Sequence, residues 1–403
     1  MFKVLIMPEA KSRDTARLSR RVLRIVRMTM ADMANLADKV PGAFRLENAD
    51  SDIPPPSHVI KATTEAVGDD RHNSYLPLQG LPELRRVVSR RYRADFGLNY
   101  DPEGEIVVTS GAGEAMLSSL LTLVDPGEKV LLTNPTYSGM AQRVRLADGV
   151  QSFTNLVEKE GWHLGLENLE FAAKGCKVFF VMSPSMPTGA VFTREEMKYL
   201  SELAVKNDAV VVFNGSLDKV VFDGNTVTNP ATLPGMRERT VVIGSVSKNY
   251  NMMGWRVGWA AGPKELIGPI ENVHIFNGIM PSGITQAGAA AALGGPQGWV
   301  RRSVQEYQKR RDVLLESLSG VRGMSAVKPE GGYYFLANIR KLGVKSPEFC
   351  LRLFRETKVA ITPMVAWGSD DFGYDHVRFI FTNEPVARLQ EAGHRISRFV
   401  RSG

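Results

Sequence analysis

Lys248 follows an apolar run, "TVVIG", with Ser245 and Ser247 just before it and Arg256 eight positions on. Two hydroxyls and a guanidinium can grip a phosphate from one side. A second run, "EIVVT", is followed by Ser110-Gly111-Ala112-Gly113 at the start of a helix. Small residues there bare the backbone N–H groups, and the helix dipole favours an anion. A dinucleotide-binding loop would need a third glycine where Met116 stands. A phosphate site with a lysine at its rim instead points to a Schiff base with pyridoxal 5'-phosphate. The amine must lose its proton to attack an aldehyde, and neighbouring positive charge helps. The structural alternative is a solvated loop lysine.

These residues must be held by a sheet. From about residue 105 strand-like and helix-like segments alternate: "EIVVTS", "KVLLTN", "KVFFVMS", "AVVVFN" and "TVVIGSVS" are separated by helical stretches. The strands are short, continuously apolar and rich in valine, as strands buried on both faces are. The pattern predicts an α/β fold: a large domain with a mostly parallel sheet flanked by helices, and a smaller α+β domain. "DSDIPPP" and "GGPQG" mark the breaks. They predict an N-terminal arm and part of the small domain over 1–52, a large domain over 53–294 and a C-terminal small domain over 295–403.

Composition narrows the class. The chain of 403 residues is 43% hydrophobic, with a net charge of +7. Eight of its Lys and Arg residues lie within the first 30 positions, against two acidic residues there. That concentration does not resemble a nucleic-acid-binding face. It is compatible with a transit peptide or an anionic-surface contact, or with an arm packed on a partner subunit. No apolar run is long enough to cross a membrane. The first residues lack a signal-peptide pattern. Two cysteines, Cys176 and Cys350, make no disulfide framework. A cytoplasmic location is expected. The six histidines form no ligand-spaced pair, so no metal is expected.

Seven segments in order resemble one family. They are "NSYLPLQGLPELRRVVSRRY", "VVTSGAGEAM", "NPTYSGM", "PSMPTGAVFTREEM", "SVSKNYNMMGWRVGW", "PEGGYYFL" and "HVRFIFTN". On them the chain is identified as a divergent member of the fold-type I pyridoxal-phosphate-dependent aminotransferases (class I/II), which implies that the large domain's sheet has seven strands. The resemblance implies that Lys248 forms the Schiff base and shuttles a proton at Cα. It implies that Arg256, Ser245, Ser247 and the backbone of Gly111, Ala112 and Gly113 hold the phosphate. Tyr137 would stack on the cofactor ring. Tyr75 would reach the phosphate of a neighbouring subunit, so a homodimer with shared sites is implied. Arg378 would clamp the substrate α-carboxylate.

The chain also departs from that family. Asn214 stands where an aspartate usually pairs with the ring nitrogen; "VFDG" at 221–224 anchors this alignment, and Asp218 does not fit it. Leu217 replaces a tyrosine and Met186 an asparagine that contact the ring's phenolic oxygen. Ala49 replaces a glycine in the substrate segment. A neutral amide favours a protonated ring nitrogen far less than a carboxylate does, so slower Cα deprotonation is expected. The loss of two donors leaves more charge on the phenolic oxygen, so a higher imine pKa is expected. Met186, Leu217 and Trp367 suggest an apolar or bulky substrate side chain. Three readings follow: an aminotransferase acting on an α-amino acid and a 2-oxo acid; a lyase, decarboxylase or oxidase of the same fold; and a non-catalytic cofactor-binding protein.

Overall fold

A computed structural model of the chain describes residues 17–26, 29–368 and 372–402. Its first strand, β1 (Phe44–Leu46), waits for a partner from the far end of the sequence. The strands that follow build the large sheet: β2 (Ile106–Thr109), β3 (Lys129–Asn134), β4 (Val150–Val157), β5 (His163–Leu164), β6 (Cys176–Met182), β7 (Val210–Asn214), β8 (Thr240–Ser245) and β9 (Gly258–Ala261). Their order is β2-β9-β8-β7-β6-β3-β4-β5. Pairing is parallel from β8 through β4 and antiparallel at β9 and β5. The sheet therefore has eight strands, one more than the seven expected. The extra one is two residues long, a short edge strand that a sequence pattern of apolar runs does not register.

Valine and isoleucine fill β2, β7 and β8 because helices cover both faces; nearly every residue in them is buried. Strand β4 was missed in the sequence because "VQSFTNLV" is half exposed and carries polar residues. The helices behave as their sequences predict. Arg194–Lys206 opens with a reciprocal cap, in which Thr193 accepts from Glu196 N and the Glu196 side chain returns to Thr193 N.

A second sheet contains β10 (Ser325–Ala326), β11 (Tyr334–Asn338), β12 (Val359–Pro363) and β13 (His376–Ile380), in the order β1-β12-β13-β11-β10. Strand β1 runs parallel to β12, with Phe44 opposite Val359. Thr362 Oγ1 then donates to Glu47 O across 315 positions of sequence. This draws the segment after β1 onto the large sheet's active edge.

The basic N-terminal stretch forms a short helix, Arg20–Leu23. It rests on the chain's own helix Ser138–Leu146 and the turn after it: Arg21 and Arg24 both pair with Asp148, and Arg145 Nη1 donates to Arg24 O. Lys3, Lys11, Arg13 and Arg27 lie outside the described residues. No helix among the described residues is long and apolar enough to cross a membrane.

Candidate active site

In the parallel part of the sheet, β3 has β4 on one side and β6 on the other, so the winding reverses there and a crevice opens beyond the strand ends. A cavity of about 300 Å3 lies at this edge. Its floor begins where β2 gives way to helix Ala112–Leu123. Gly111 takes φ +84°, and a Cβ there would lie 2.4 Å from Arg256 Nη2. The first amides of the helix lack intrahelical acceptors by construction. Arg256 itself sits at φ +55°, a costly conformation for a residue with a side chain. Its Nη1 is anchored on Met253 O (2.9 Å) and points toward Ser247 Oγ (3.5 Å).

Ser245 is deeper than the sequence suggested. Its Oγ accepts from Ser247 N (3.0 Å), capping the short helix Val246–Asn249, and reaches Val257 O (3.0 Å) and Ser247 Oγ (2.9 Å). It orders the turn and hands the open hydroxyl position to Ser247.

Lys248 stands on that short helix. Its Nζ donates to Ala49 O, and Tyr333 Oη donates to Lys248 O (2.7 Å), with Asn251 Oδ1 2.9 Å away from the same hydroxyl. Burial brings the amine down to about 8; Asp50 opposes the shift, while Arg378 and Arg256 reinforce it. That is the property an amine nucleophile needs near neutral pH.

Asn214 ends β7 and is 3% exposed on the cavity wall. Its Oδ1 accepts from Ser216 N (3.0 Å), and its Nδ2 faces Met116 Sδ at 3.5 Å. Asp218 points elsewhere: it accepts from Asn249 Nδ2 (2.7 Å), and burial pushes its carboxyl up to about 6 against the pull of Lys219. Leu217, Met186, Ala49 and Tyr137 all line the cavity. The Tyr137 ring lies 6.4 Å from that of Trp367.

Arg378, on β13, is fully buried. The Trp367 ring lies 4.4 Å from its guanidinium carbon and the Tyr334 ring 5.7 Å. Nη2 donates to Glu47 O (2.9 Å), but Nε and Nη1 are buried without a partner among the described residues. Two orphaned donors on a buried cation need an explanation, and a carboxylate supplies one. Glu47 O holds this arginine and Ala49 O holds Lys248, so carbonyls two residues apart, at most about 7 Å along the chain, join the two cations.

The structure thus brings Lys248, Ala112, Gly113, Ser245, Ser247, Arg256, Tyr137, Asn214, Ala49 and Met186 to one cavity, with Gly111 against Arg256 beside it and Arg378 bound through the same strap. Tyr75 is not among them; it is 81% exposed and does not line the cavity. Sequence reasoning missed Arg143, Ser216 and Asp50, which do line it. Arg143 carried no signal, because an arginine on a half-polar helix reads as a solvated one. A wider cleft of about 680 Å3 beside His163 offers no comparable chemistry. His163 is clamped there between Glu196 (2.9 Å) and Glu330 (3.5 Å).

The cavity's donors fit a phosphate ester bearing an aldehyde. Helix amides, Ser247 and Arg256 suit the anion, and a lysine of depressed pKa suits the aldehyde. The buried Ser216 hydroxyl, without a partner among the described residues, adds one free group to the wall.

Comparison with known proteins agrees. The model of the family "Aminotransferase class I and II" matches residues 43–396. The chain is 32% identical over 356 residues to an aspartate aminotransferase of Geobacillus stearothermophilus, covering 87% of this chain and 89% of that one. It is 33% identical over 379 residues to a probable N-succinyldiaminopimelate aminotransferase of Mycobacterium tuberculosis, covering 91% and 94%. The solved structure of N-succinyldiaminopimelate aminotransferase from the same organism superposes with a TM-score of 0.89 at 32% identity, over 94% of this chain and 99% of that chain. With the fold, the edge cavity and its lysine in hand, the chain belongs to the class I and II aminotransferase family.

Proposed function

We propose that the protein transfers the amino group of an α-amino acid to a 2-oxo acid, with pyridoxal 5'-phosphate held at Lys248. Members of the family use this cofactor. Bound, it supplies an aldehyde for the amino group and a ring that draws electrons from Cα. The observation that carries the reading is the strap from Glu47 to Ala49. One of its carbonyls holds the depressed-pKa amine and the other holds a buried guanidinium with two free donors.

In this reading the amides of Gly111, Ala112 and Gly113, with Ser247 and Arg256, bind the phosphate, and Ser245 orders their turn. Tyr137 covers one face of the ring, and Asn214 meets its edge. Arg378 takes the α-carboxylate in a bidentate pair. Lys248 holds the proton that moves at Cα. Ala49, Met186, Leu217 and Trp367 surround the substrate with apolar surface, which supports an apolar or aromatic side chain. Relatives named for aspartate, aromatic amino acids and N-succinyldiaminopimelate support an α-amino acid donor in general.

The test is a half-reaction. The purified, cofactor-loaded protein is mixed with single amino acids and no acceptor, under air and under argon. One equivalent of 2-oxo acid per subunit, equal in both gases, supports transfer. Continuous release of ammonia or peroxide supports the second reading as a lyase or oxidase, and continuous release of carbon dioxide supports it as a decarboxylase. Asn214, Leu217 and Met186 favour that second reading, because none of them offers a charge to the ring.

A homodimer belongs to the proposal. Tyr75, Phe276 and Ile279 are exposed (81%, 93% and 46%), and their segments are joined by Leu76 N and Met280 Sδ at 3.0 Å. Such an apolar face suits a second copy, whose site Tyr75 would complete. Sedimentation of the wild type and of Phe276→Glu tests it. The buried, unpaired Cys176 and Cys350 support a reducing, cytoplasmic compartment.

A further inference from the structure

Four charged side chains line the cavity: Lys248, Arg256, Arg143 and Asp50. Three are cations. Neither Arg256 nor Arg143 has a carboxylate partner among the described residues, although nearby arginines do find partners. Arg21 and Arg24 share Asp148.

Arg143 turns the other way. From the helix Ser138–Leu146 its Nε donates to Gly113 O (2.8 Å) and its Nη1 to Gly139 O (2.7 Å). Both bonds are to neutral carbonyls, so they orient the guanidinium and leave its charge unbalanced. The remaining nitrogen, Nη2, lies 2.7 Å from where a Cβ on Gly113 would sit. Arg256 Nη2 has the same relation to Gly111 at 2.4 Å. The two glycines of Gly111-Ala112-Gly113 thus each make room for a guanidinium, one at either end of the helix-opening turn. Arg143 is half-buried and Arg256 exposed, and a half-buried, unbalanced cation such as Arg143 is costly without an anion. The two guanidiniums flanking free helix amides suit an anion of more than one charge.

We propose that Arg143 is a second cationic anchor for the phosphate monoester seated on Gly111–Gly113, opposite Arg256. The inference rests on the reading of this cavity as the cofactor site and adds to it a residue outside the recognisable segments. It also accounts for the glycine at 113, since any side chain there would displace the Arg143 guanidinium.

The test compares pyridoxal phosphate with pyridoxal, which lacks the phosphate. Cofactor-free wild type, Arg143→Met and Arg143→Lys are each titrated with both compounds, followed by absorbance. Arg143→Met weakens pyridoxal phosphate by about 10- to 100-fold, the value of a charge-assisted contact. Its affinity for pyridoxal stays within about 3-fold of wild type by the same reasoning, since the lost contact is to phosphate alone. Arg143→Lys, which keeps the charge, recovers much of the loss. An unchanged ratio of the two affinities in both variants overturns the proposal. So does an unchanged pyridoxal phosphate affinity with weakened binding of maleate to the loaded protein, which would assign Arg143 to a distal carboxylate of the substrate. If Arg143→Met does not fold, the ratio in Arg143→Lys and Arg143→Gln decides. Failure of the wild type itself to prefer pyridoxal phosphate over pyridoxal refutes the cofactor-site reading, a separate outcome.

Discussion

Lys248 offers a test of the site that needs no cofactor. Its amine sits near pH 8 because burial disfavours the charge, with Asp50 opposing and Arg378 and Arg256 assisting. At pH 7 roughly one amine in ten is then neutral, against about one in 3,000 for an ordinary lysine, a gap of ~300-fold in reactive form. Cofactor-free protein labelled briefly with trace acetic anhydride and read by peptide mass should show Lys248 acetylation rising with a midpoint near pH 8 and levelling off about one pH unit higher. Surface lysines serve as internal references and keep rising beyond about pH 10, as ordinary lysines do. Asp50→Asn removes the opposing charge and moves the midpoint down. Arg256→Gln moves it up. A Lys248 midpoint shared with the reference lysines would refute the reasoning, as would an upward shift in Asp50→Asn. The linked stability effect has a definite sign. Below pH 8 the folded chain carries a disfavoured buried cation, at a cost of at most about 3 kcal/mol. Between pH 8 and 10.5 the unfolded chain binds more protons than the folded one, so stability rises with pH and the penalty disappears. Lys248→Met therefore stabilises the cofactor-free protein at pH 7 and has no such effect above pH 10.5.

Other substitutions probe separate parts of the site. Arg378→Gln should lower kcat/KM for α-amino acids by at least about 100-fold, since two charge-assisted bonds are lost, while equilibrium dialysis finds cofactor affinity unchanged. Asn214→Asp places a carboxylate against Met116 Sδ, where the amide now rests. The cofactor-free variant should lose about 1–3 kcal/mol in denaturant titrations, and cofactor should restore more stability to it than to the wild type. Gly258→Ala would put a Cβ 2.5 Å from Ala112 N, a backbone atom with no room to move. Thermal melts should show a loss of a few kcal/mol, with weaker cofactor binding as the helix-opening turn is pushed away.

The parts of this protein that were legible in its sequence are those made by neighbours along the chain. The apolar runs of β6, β7 and β8 declare themselves because a strand buried on both faces has no polar residue to spare. Lys248, Ser247 and Arg256 were readable together because a strand end, one helical turn and one tight loop carry all three. Asn214 lies on the cavity wall, while Asp218 is turned away toward Asn249. Tertiary structure decided the rest. Ser245 is a cap, since its hydroxyl meets Ser247 N and Val257 O only after β8 and β9 pair. Arg143 enters the cavity only because Gly113 O and Gly139 O pull it inward. The strap that joins Lys248 to Arg378 exists because β1 lies beside β12, and no local pattern in "AFRLENADSD" announces that pairing. Local sequence sets backbone conformation and burial over a few residues. Bringing an amine and a guanidinium within reach of one substrate takes contacts between residues more than 300 positions apart, and those form only when the whole chain packs.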